Sequence, residues 1–173
     1  MSSSSALQTR PQPAVRPFDA ADRLWAKSLF EARWGSALVV TRGRLHDLLS
    51  LPGMVAHFDS TPCGLATFHI LGAECQLTSL DALDPGHGVG TALLESVVRA
   101  ARAHACHRLW LITTNDNLDA LRFYQRRGLC LVAVHRDALS HSRQLKPSIP
   151  LVGNHGIPLR DEIELELRLE PPS

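Results

Sequence analysis

The sequence has little that would place the chain in a membrane, outside the cell or on nucleic acid. Its 173 residues contain no apolar run close to the roughly 20 residues that a transmembrane helix needs. The formal net charge of +1 gives no electrostatic reason to expect binding to nucleic acid or to a membrane surface. The first residues lack the charged start and long apolar core of a secretory signal. We therefore expect a cytoplasmic protein with neither nucleic acid nor a membrane as its partner.

Paired cysteines and metal-ligand spacings are also missing. The nine histidines show no His-x-His or His-x-x-x-His spacing, so we predict no metal site. The cysteines form no Cys-x-x-Cys pair, and each lies among apolar neighbours, which predicts buried free thiols in a reducing compartment. These cysteines are Cys63, Cys75, Cys106 and Cys130.

What the chain does have is the composition of one ordinary globular domain. Hydrophobic residues make up 45% and charged residues 20%, which is enough apolar content for a substantial core. Residues 1–17 are rich in serine, proline and glutamine and have little to bury. We therefore predict a disordered tail over 1–17 and a single domain over 18–173.

The apolar pattern places a helix and a cluster of strands in the first half of the chain. Apolar residues at three- and four-residue intervals after Asp19 predict a helix that ends at Trp34-Gly35. Apolar runs between Met54 and Leu83, separated by short turns, predict three adjacent antiparallel strands. Further along, the pattern predicts helices over 91–105 and 118–128 and strands over 108–114, 129–134 and 162–169.

The last of these strands alternates apolar and charged residues. We expect Glu162, Glu164 and Glu166 to face solvent, with an acidic surface for a basic acceptor as the alternative. Clustered strands, then helix–strand–helix–strand, then a lone strand are typical of a mixed α/β (α+β) fold with one central sheet.

A long polar segment, Asp137–Arg160, precedes the last strand. Its prolines and glycines predict an ordered or semi-ordered loop. Either the basic side chains at its ends and middle bind an anionic group of a substrate, or the loop covers an exposed sheet edge. The basic residues are Arg136, Arg143, Lys146 and Arg160.

A glycine-rich turn, Asp84–Gly90, joins an apolar run to the helical segment 91–105. Gly86, Gly88 and Gly90 leave the backbone amides of this turn bare and permit positive φ. Such amides at a helix N-terminus bind phosphate oxygens with the help of the helix dipole. We predict a pyrophosphate site here, with a simple strand-to-helix turn as the structural alternative.

A second block follows at Asn117-Leu-Asp-Ala120-Leu-Arg-Phe123-Tyr124-Gln-Arg-Arg-Gly128-Leu129. Together with Gly88-Val-Gly-Thr-Ala-Leu-Leu94 it resembles the acetyl-CoA-binding core of the GNAT superfamily of N-acetyltransferases. The first block is similar to the family's Arg/Gln-x-x-Gly-x-Gly/Ala loop and the second to its Asn-x-x-Ala-x-x-Phe-Tyr-x-x-x-Gly-Phe helix. Two positions depart from the pattern: Pro85 stands at the Arg/Gln position and Leu129 at the final phenylalanine. His87 is a polar group that would partly replace the missing side chain.

The resemblance implies a fold, a reaction and a co-substrate. The fold is a mixed, mostly antiparallel central sheet of about six to seven strands flanked by about four helices. The reaction is acetyl transfer from acetyl-CoA to an amine of a small molecule or protein, directly within a ternary complex, without a metal. The resemblance also leaves open that two copies of this chain form a homodimer.

The resemblance also implies roles for particular residues. Tyr124 would give a proton to the departing CoA thiolate, and Glu74 would take the proton of the amine, often through water in relatives. Asp81, Asp84 and His69 are alternative proton acceptors. Backbone groups near Leu80, Ala82 and Leu83 would pair with the pantetheine arm as an added strand does. The pyrophosphate would be bound by the amides of His87, Gly88, Val89, Gly90 and Thr91, with Asn117 and Phe123 contacting the rest of the cofactor.

Two other functions compete with this hypothesis. One is a non-catalytic acyl-CoA-binding sensor or interaction module. The other is a different nucleotide-binding α/β protein, which is disfavoured because the glycine loop lacks the Lys-Ser/Thr of a P-loop and no acidic ribose ligand follows at the spacing of a dinucleotide fold.

Overall fold

The computed structural model describes residues 12–170, which contain four α-helices and nine β-strands. The helices are α1 (Arg23–Trp34), α2 (Val89–Ala103), α3 (Leu118–Gln125) and α4 (Ala138–Leu145). The strands are β1 (Ala14–Pro17), β2 (Leu38–Thr41), β3 (Arg44–Asp47), β4 (Gly53–Phe58), β5 (Thr61–Leu71), β6 (Glu74–Ala82), β7 (Arg108–Thr114), β8 (Cys130–His135) and β9 (Glu162–Arg168).

Seven strands form one sheet in the order β1-β4-β5-β6-β7-β9-β8. Every neighbouring pair is antiparallel except β6 and β7, which run parallel because α2 crosses between them. Strands β2 and β3 form a separate hairpin. The predicted mixed, mostly antiparallel sheet with four flanking helices is confirmed, as are the three adjacent strands β4, β5 and β6.

Helices cover both faces of the sheet, and alternation along β6 decides which side chain meets which helix. Cys75 and Leu77 belong to the core that packs under α2. Glu74 and Gln76 point to the opposite face, beneath the β2–β3 hairpin. A second core on that face forms between α1 and the middle of β4 and β5. One face of β6 is therefore apolar and helix-covered, and the other presents polar groups to the hairpin.

Strands β6 and β7 separate part of the way along. They pair only from Glu74 opposite Arg108 to Leu77 opposite Leu111, although β6 continues to Ala82. An irregularity in the β5–β6 register leaves Thr78 as an extra residue in β6. Such a bulge bends the strand. The β7-facing edge of β6 beyond Leu77 consequently has no strand partner among residues 12–170.

The predicted boundary of the N-terminal tail is wrong. Ala14–Pro17 form β1, which pairs antiparallel with β4 at the edge of the sheet. The Arg16 guanidinium holds this strand through two hydrogen bonds of 2.7 Å to the carboxylate of Asp22, just before α1. Composition gave little sign of this, because the segment is fixed largely by backbone pairing and an ion pair, with Val15 packing partly buried against the core. Residues 1–11 of the predicted tail lie outside the described residues.

The segment Asp137–Arg160 is more structured than the predicted loop, since its first third is α4. Its cations are mostly bound within the fold. Arg143 donates to the carbonyls of Ile149, Pro150 and Leu159, and Lys146 donates to those of Trp34 and Leu38 at 3.0 and 2.8 Å. Arg160 pairs with Asp161. These three cations anchor the segment, which weakens the interpretation of the segment as an anion-binding loop.

The glutamates of β9 do not face solvent as predicted. Strand β9 lies between β7 and β8, and the tip of the β2–β3 hairpin contacts the first residue of β9, Glu162. Glu162 is 1% exposed and accepts the amide of Arg42, while Arg108 donates to Glu164 and Glu166. Strict alternation signals one polar face, but here neighbouring polar groups from other elements cover that face.

Three of the cysteines are buried free thiols as predicted, whereas Cys130 is exposed on the edge strand β8. Burial raises the pKa of the Cys75 thiol to about 12. Among the described helices, none has the length and apolar character needed to cross a membrane.

Candidate active site

A cavity of about 840 Å³ lies where the end of β6, the start of α2 and α3 meet. We call it the main cavity. The tyrosine of the second sequence block, Tyr124, lines it, and so do eight of the ten residues predicted to bind the cofactor. These eight are Leu80, Ala82, Gly88, Val89, Gly90, Thr91, Asn117 and Phe123.

The N-terminus of α2 opens into the main cavity without a side-chain cap. Gly88 takes the N-cap position in the left-handed region at φ 76°, and no side chain of the described residues caps the amides of the first turn. The amides of Val89, Gly90 and Thr91 are thus free donors beside the positive end of the helix dipole. A Cβ on Gly90 would lie 3.0 Å from the Phe123 ring, so glycine is what lets the loop pack this closely. The predicted phosphate cradle has the bare amides that a pyrophosphate requires.

Arg127 stiffens this cradle. Its guanidinium donates to the hydroxyl of Thr91 in the first turn of α2 and to the carbonyl of Phe123 at 2.9 Å. It also lies 3.6 Å from the centroid of the Phe123 ring. Partial burial and the neighbouring Arg126 lower the pKa of Arg127. Arg126 lines the cavity as well, so two cations stand beside the amides.

Asn117 and Tyr124 sit at opposite ends of α3. The Asn117 side-chain oxygen accepts the amide of Ala120 at 3.1 Å, which confirms the predicted N-cap and leaves its amide nitrogen for other partners. Tyr124 is 8% exposed, and no hydrogen bond from residues 12–170 engages its hydroxyl. Burial and the charge of Asp81 raise the pKa of Tyr124, so the phenol keeps its proton at neutral pH.

Two predicted cofactor residues lie outside the main cavity. The amide of Leu83 donates to the carbonyl of Cys63 at 2.9 Å, so that donor is not free to pair with an added strand. The His87 imidazole turns to Asp84, with Nδ1 2.9 Å from the carboxylate, and lines a different surface depression. The side chain of His87 therefore does not replace the missing Arg/Gln at Pro85.

Glu74 is not brought together with Tyr124. It lines a second cavity, of about 200 Å³, on the opposite face of the sheet. Its carboxylate receives a hydrogen bond of 2.9 Å from Arg108. We call this second space the hairpin cavity, lined by Thr41, Arg42, Arg44, His46, His69, Leu71, Glu74, Gln76 and Trp110. Within residues 12–170 no group of three or more histidine, cysteine or acidic side chains is arranged to hold a metal ion.

Asp81 is the other carboxylate near the site. It lies on β6, is 7% exposed, and accepts one long hydrogen bond of 3.4 Å from the indole of Trp34 at the end of α1. Burial raises the pKa of Asp81. Of the alternatives predicted from sequence, Asp81 is the one whose charge is felt by Tyr124.

The main cavity of this mixed α/β fold thus combines an uncapped helix N-terminus with a glycine-built cradle, a strand edge without a strand partner among residues 12–170, and a protonated tyrosine. Residues 23–129 match the profile of the family described as Acetyltransferase (GNAT) family. The chain therefore belongs to the GNAT acetyltransferase family.

Relatives are found among curated proteins and solved structures. The uncharacterized proteins YdhI and YxbD of Bacillus subtilis (strain 168) are 40% and 37% identical over 135 and 144 residues. These matches cover 78% and 83% of this chain and 84% and 91% of the two relatives. A GNAT family acetyltransferase from Elizabethkingia anophelis with acetyl-CoA bound has a TM-score of 0.68 at 16% identity, covering 91% of this chain and 99% of that one.

Sequence reasoning missed Arg127 and the hairpin cavity. In the sequence, Arg127 belongs to the doublet Arg126-Arg127 next to Gly128, which is typical of a solvated helix end, with contact to a cofactor phosphate as the secondary interpretation. Its place three residues after Tyr124, on the turn that faces the glycine loop, was the available signal. The hairpin cavity depends on contacts between residues far apart in sequence, such as Thr41 with Gln76, and no local sequence pattern predicts such contacts.

Proposed function

We propose that the protein transfers the acetyl group of acetyl-CoA to an amine of a small molecule or a protein, by direct attack within a ternary complex. The observation that carries this proposal is the presence, in one cavity, of free α2 amides that suit a pyrophosphate and of a protonated Tyr124 hydroxyl. The unpaired edge of β6 supports it further, because an extended pantetheine arm pairs with such an edge.

In the reaction, the amine nitrogen forms a bond to the carbonyl carbon of the thioester. The carbon–sulfur bond then breaks, its electron pair goes to sulfur, and the sulfur takes the proton of Tyr124. The surplus proton of the nitrogen goes to a base, and Tyr124 is reprotonated from solvent. The raised pKa of Tyr124 keeps the donor protonated until the thiolate forms.

Glu74 is the proposed proton acceptor, acting through water. It lies on the face of β6 opposite α2, beside Gln76, where an acceptor approaches the thioester from the side not used by the cofactor. The bond from Arg108 holds its carboxylate in place. Asp81 is the second candidate, because it is buried on the same strand and interacts with Tyr124.

The competing function is a non-catalytic acyl-CoA sensor. It is favoured by the burial of Tyr124, because a buried aromatic residue on a helix usually serves the core. The two functions differ in what Tyr124→Phe does. In an enzyme, kcat falls by about 10²–10⁴-fold while CoA affinity holds. If the protein is a sensor, neither the wild type nor Tyr124→Phe produces an acetylated amine.

The first experiment is a thermal-shift screen with acetyl-CoA, CoA, NAD and ATP, followed by mass-spectrometric detection of acetylated products from an amine panel. Stabilisation by both CoA compounds and an acetylated amine support the proposal. Stabilisation by NAD or ATP but not by CoA overturns it.

We further propose that the enzyme acts in the cytoplasm as a homodimer formed through β8. The free buried thiols suit a reducing compartment. Strand β8 ends the sheet and exposes Leu131, Val132 and Val134, a surface that favours pairing with a second copy. Val134→Lys converts the dimer to a monomer in light scattering; an unchanged mass with a dimeric wild type contradicts this interface.

A further inference from the structure

We propose that the hairpin cavity selects small amines that also carry an anionic group, as amino acids do. The inference rests on the proposed acetyl transfer and names its acceptor class. It is carried by the position, the floor, the mouth and the size of the cavity.

The position of the cavity suits an acceptor. Its floor contains Gln76 and Trp110, which pair across β6 and β7 one row before the strands separate. Tyr124 lines the main cavity together with Leu80, which lies on β6 beyond the point of separation, and it packs into the core on the α2 face of the sheet. A molecule in the hairpin cavity therefore lies next to the gap between β6 and β7 without occupying the main cavity.

The floor presents acceptor atoms that suit an amine. The Gln76 amide nitrogen donates to the Thr41 hydroxyl at 2.8 Å, which leaves its amide oxygen free of bonds among the described residues. The Nε2 atom of His69 is buried and has no partner there either. Both atoms, and the Glu74 carboxylate beside them, accept hydrogen bonds from N–H groups. Buried polar atoms rarely remain unpaired, so a ligand or water is expected at His69.

His46 does not compete for this role. Its Nε2 lies 3.1 Å from the Thr41 hydroxyl, and burial together with Arg44 and His69 lowers its pKa. A neutral His46 adds no positive charge to the floor at neutral pH. An amine in the cavity is therefore surrounded by hydrogen-bond acceptors, and His46 adds no competing positive charge.

The mouth presents the opposite charge. Arg42 and Arg44 line the cavity at the tip of the hairpin and are exposed, and neither guanidinium forms an ion pair within residues 12–170, although the charge of Arg42 acts on the Glu162 carboxylate. The carboxylate of the cavity, Glu74, is already bonded to Arg108. Two unpaired guanidinium groups bind carboxylate or phosphate oxygens well. The cavity therefore has hydrogen-bond acceptors within and cations at its entrance.

The size limits the acceptor. A volume of about 200 Å³ lies below the roughly 300–1,000 Å³ of pockets that hold drug-sized ligands. A small amine with its anionic group a few bonds away spans floor and mouth together. A lysine side chain of a folded protein brings no anionic group to the mouth, so we place it outside the preferred class.

The test uses amines matched in shape and differing in charge, with the full chain and saturating acetyl-CoA. Leucine is compared with isopentylamine, and β-alanine and aminoethyl phosphate with propylamine. We expect kcat/KM to be at least about tenfold higher for the anionic members. The comparison of β-alanine with aminoethyl phosphate tells whether carboxylate or phosphate is preferred.

Variants locate the effect. In Arg42→Gln/Arg44→Gln we expect the preference to fall to within about threefold, because kcat/KM for the anionic amines falls. Arg99→Gln, an exposed arginine on α2, is the matched control and keeps the preference. Equal rates for charged and uncharged members in wild type, or an unchanged preference in the double variant, overturns the inference.

Binding separates this inference from the proposed function. Calorimetric titration of leucine and isopentylamine into the CoA-bound protein reports the preference without turnover. Acetylated amines with no anionic preference leave acetyl transfer standing and overturn the inference. Preferential leucine binding with no acetylation of any amine supports the anion-selective cavity and overturns the proposed reaction.

Discussion

The Arg127 guanidinium donates two hydrogen bonds to the Thr91 hydroxyl, from Nε at 2.9 Å and from Nη2 at 2.6 Å. Thr91 belongs to the first turn of α2, and Arg127 follows the end of α3. The two sequence blocks that carry the family resemblance are therefore joined by one side chain. Since the same guanidinium stacks on Phe123, it fixes both walls of the main cavity.

Replacing Arg127 with glutamine is expected to weaken CoA binding. The change removes a charge-assisted contact and a cation beside the α2 amides, so we expect the dissociation constant to rise by at least about tenfold. Calorimetric titration with CoA measures it. Arg99→Gln removes an exposed arginine from α2 as a control, and equal losses in both variants would show only a general effect of charge.

Replacing Gly90 with alanine is expected to disturb the cradle. The new Cβ would lie 3.0 Å from two ring atoms of Phe123, so the ring must move by a few tenths of an ångström. We expect CoA affinity to fall while the thermal midpoint without ligand changes by only a few degrees. Phe123→Leu makes room for the methyl group that Gly90→Ala adds. We therefore expect Phe123→Leu to lower CoA affinity less in the Gly90→Ala variant than in the wild type. Additive losses would refute the steric explanation.

The pair formed by Arg16 and Asp22 makes stability depend on pH in the acid range. The hydrogen bonds from Arg16 lower the pKa of Asp22 below its ordinary 3.8. The pair therefore stabilises the fold fully above that value, and this contribution is lost as the pH falls through the lower pKa of the folded state. Asp22→Asn should reduce the free energy of unfolding by about 2 kcal/mol at pH 7 and by progressively less below pH 3.8.

Urea denaturation from pH 2 to 7 measures this difference. Asp59→Asn, at an exposed turn position, is the control and should leave the curve of wild type unchanged. If Asp22→Asn reduces the free energy of unfolding by the same amount at every pH down to 2, the ion pair is ruled out as the cause of the reduction.

The exposed thiol gives a prediction of its own. Cys130 lies on the edge strand, whereas Cys63, Cys75 and Cys106 are buried, and burial raises the pKa of each buried thiol. Because the thiolate is the reactive form, in the monomeric Val134→Lys variant, where no second copy covers β8, one thiol should react with Ellman's reagent at once and the others only on unfolding. Cys130→Ser should abolish the fast phase; its persistence would mean that a buried thiol becomes accessible by local opening.

Local patterns predicted the local features of this fold well. Gly35 ends α1 in the left-handed region at φ 76°, and Asn117 caps α3, as their residue types indicated. The glycine loop and the second block were sufficient to assemble most of the main cavity. In each case the deciding interactions lie within a few residues of one another, so the sequence displays them directly.

Features that depend on distant partners were not predictable in the same way. Alternation in β9 indicated a polar face, but only the insertion of β9 between β7 and β8 buries Glu166 next to Arg108. Lys146 looked like a free loop cation until the fold brought it to the carbonyls of Trp34 and Leu38. The hairpin cavity, which is the proposed acceptor side, is built mainly from such contacts, which is why the sequence predicted the cofactor more clearly than the acceptor.

The last prediction concerns Glu162, which holds the hairpin over the acceptor side. Both of its carboxylate oxygens accept the Arg42 amide, at 3.2 and 3.1 Å. Glu162→Ala leaves that amide without its acceptor, so we expect the KM of the acceptor to rise several-fold while CoA affinity holds. Glu162→Gln keeps an acceptor oxygen and should retain the KM of wild type. A rise in KM with glutamine as large as with alanine would assign the effect to charge.

The same two variants should also differ from the wild type in how their stability depends on pH. Burial raises the pKa of Glu162 above its ordinary 4.5, so the folded state holds a proton more tightly than the unfolded state. The contribution of this group to stability is greatest below pH 4.5 and declines as the pH rises to the folded-state pKa. Glu162→Gln lacks that decline because it never ionises. At pH 7 it should therefore be at least as stable as wild type in urea denaturation, whereas Glu162→Ala, with an unpaired buried amide, should lose about 1–3 kcal/mol.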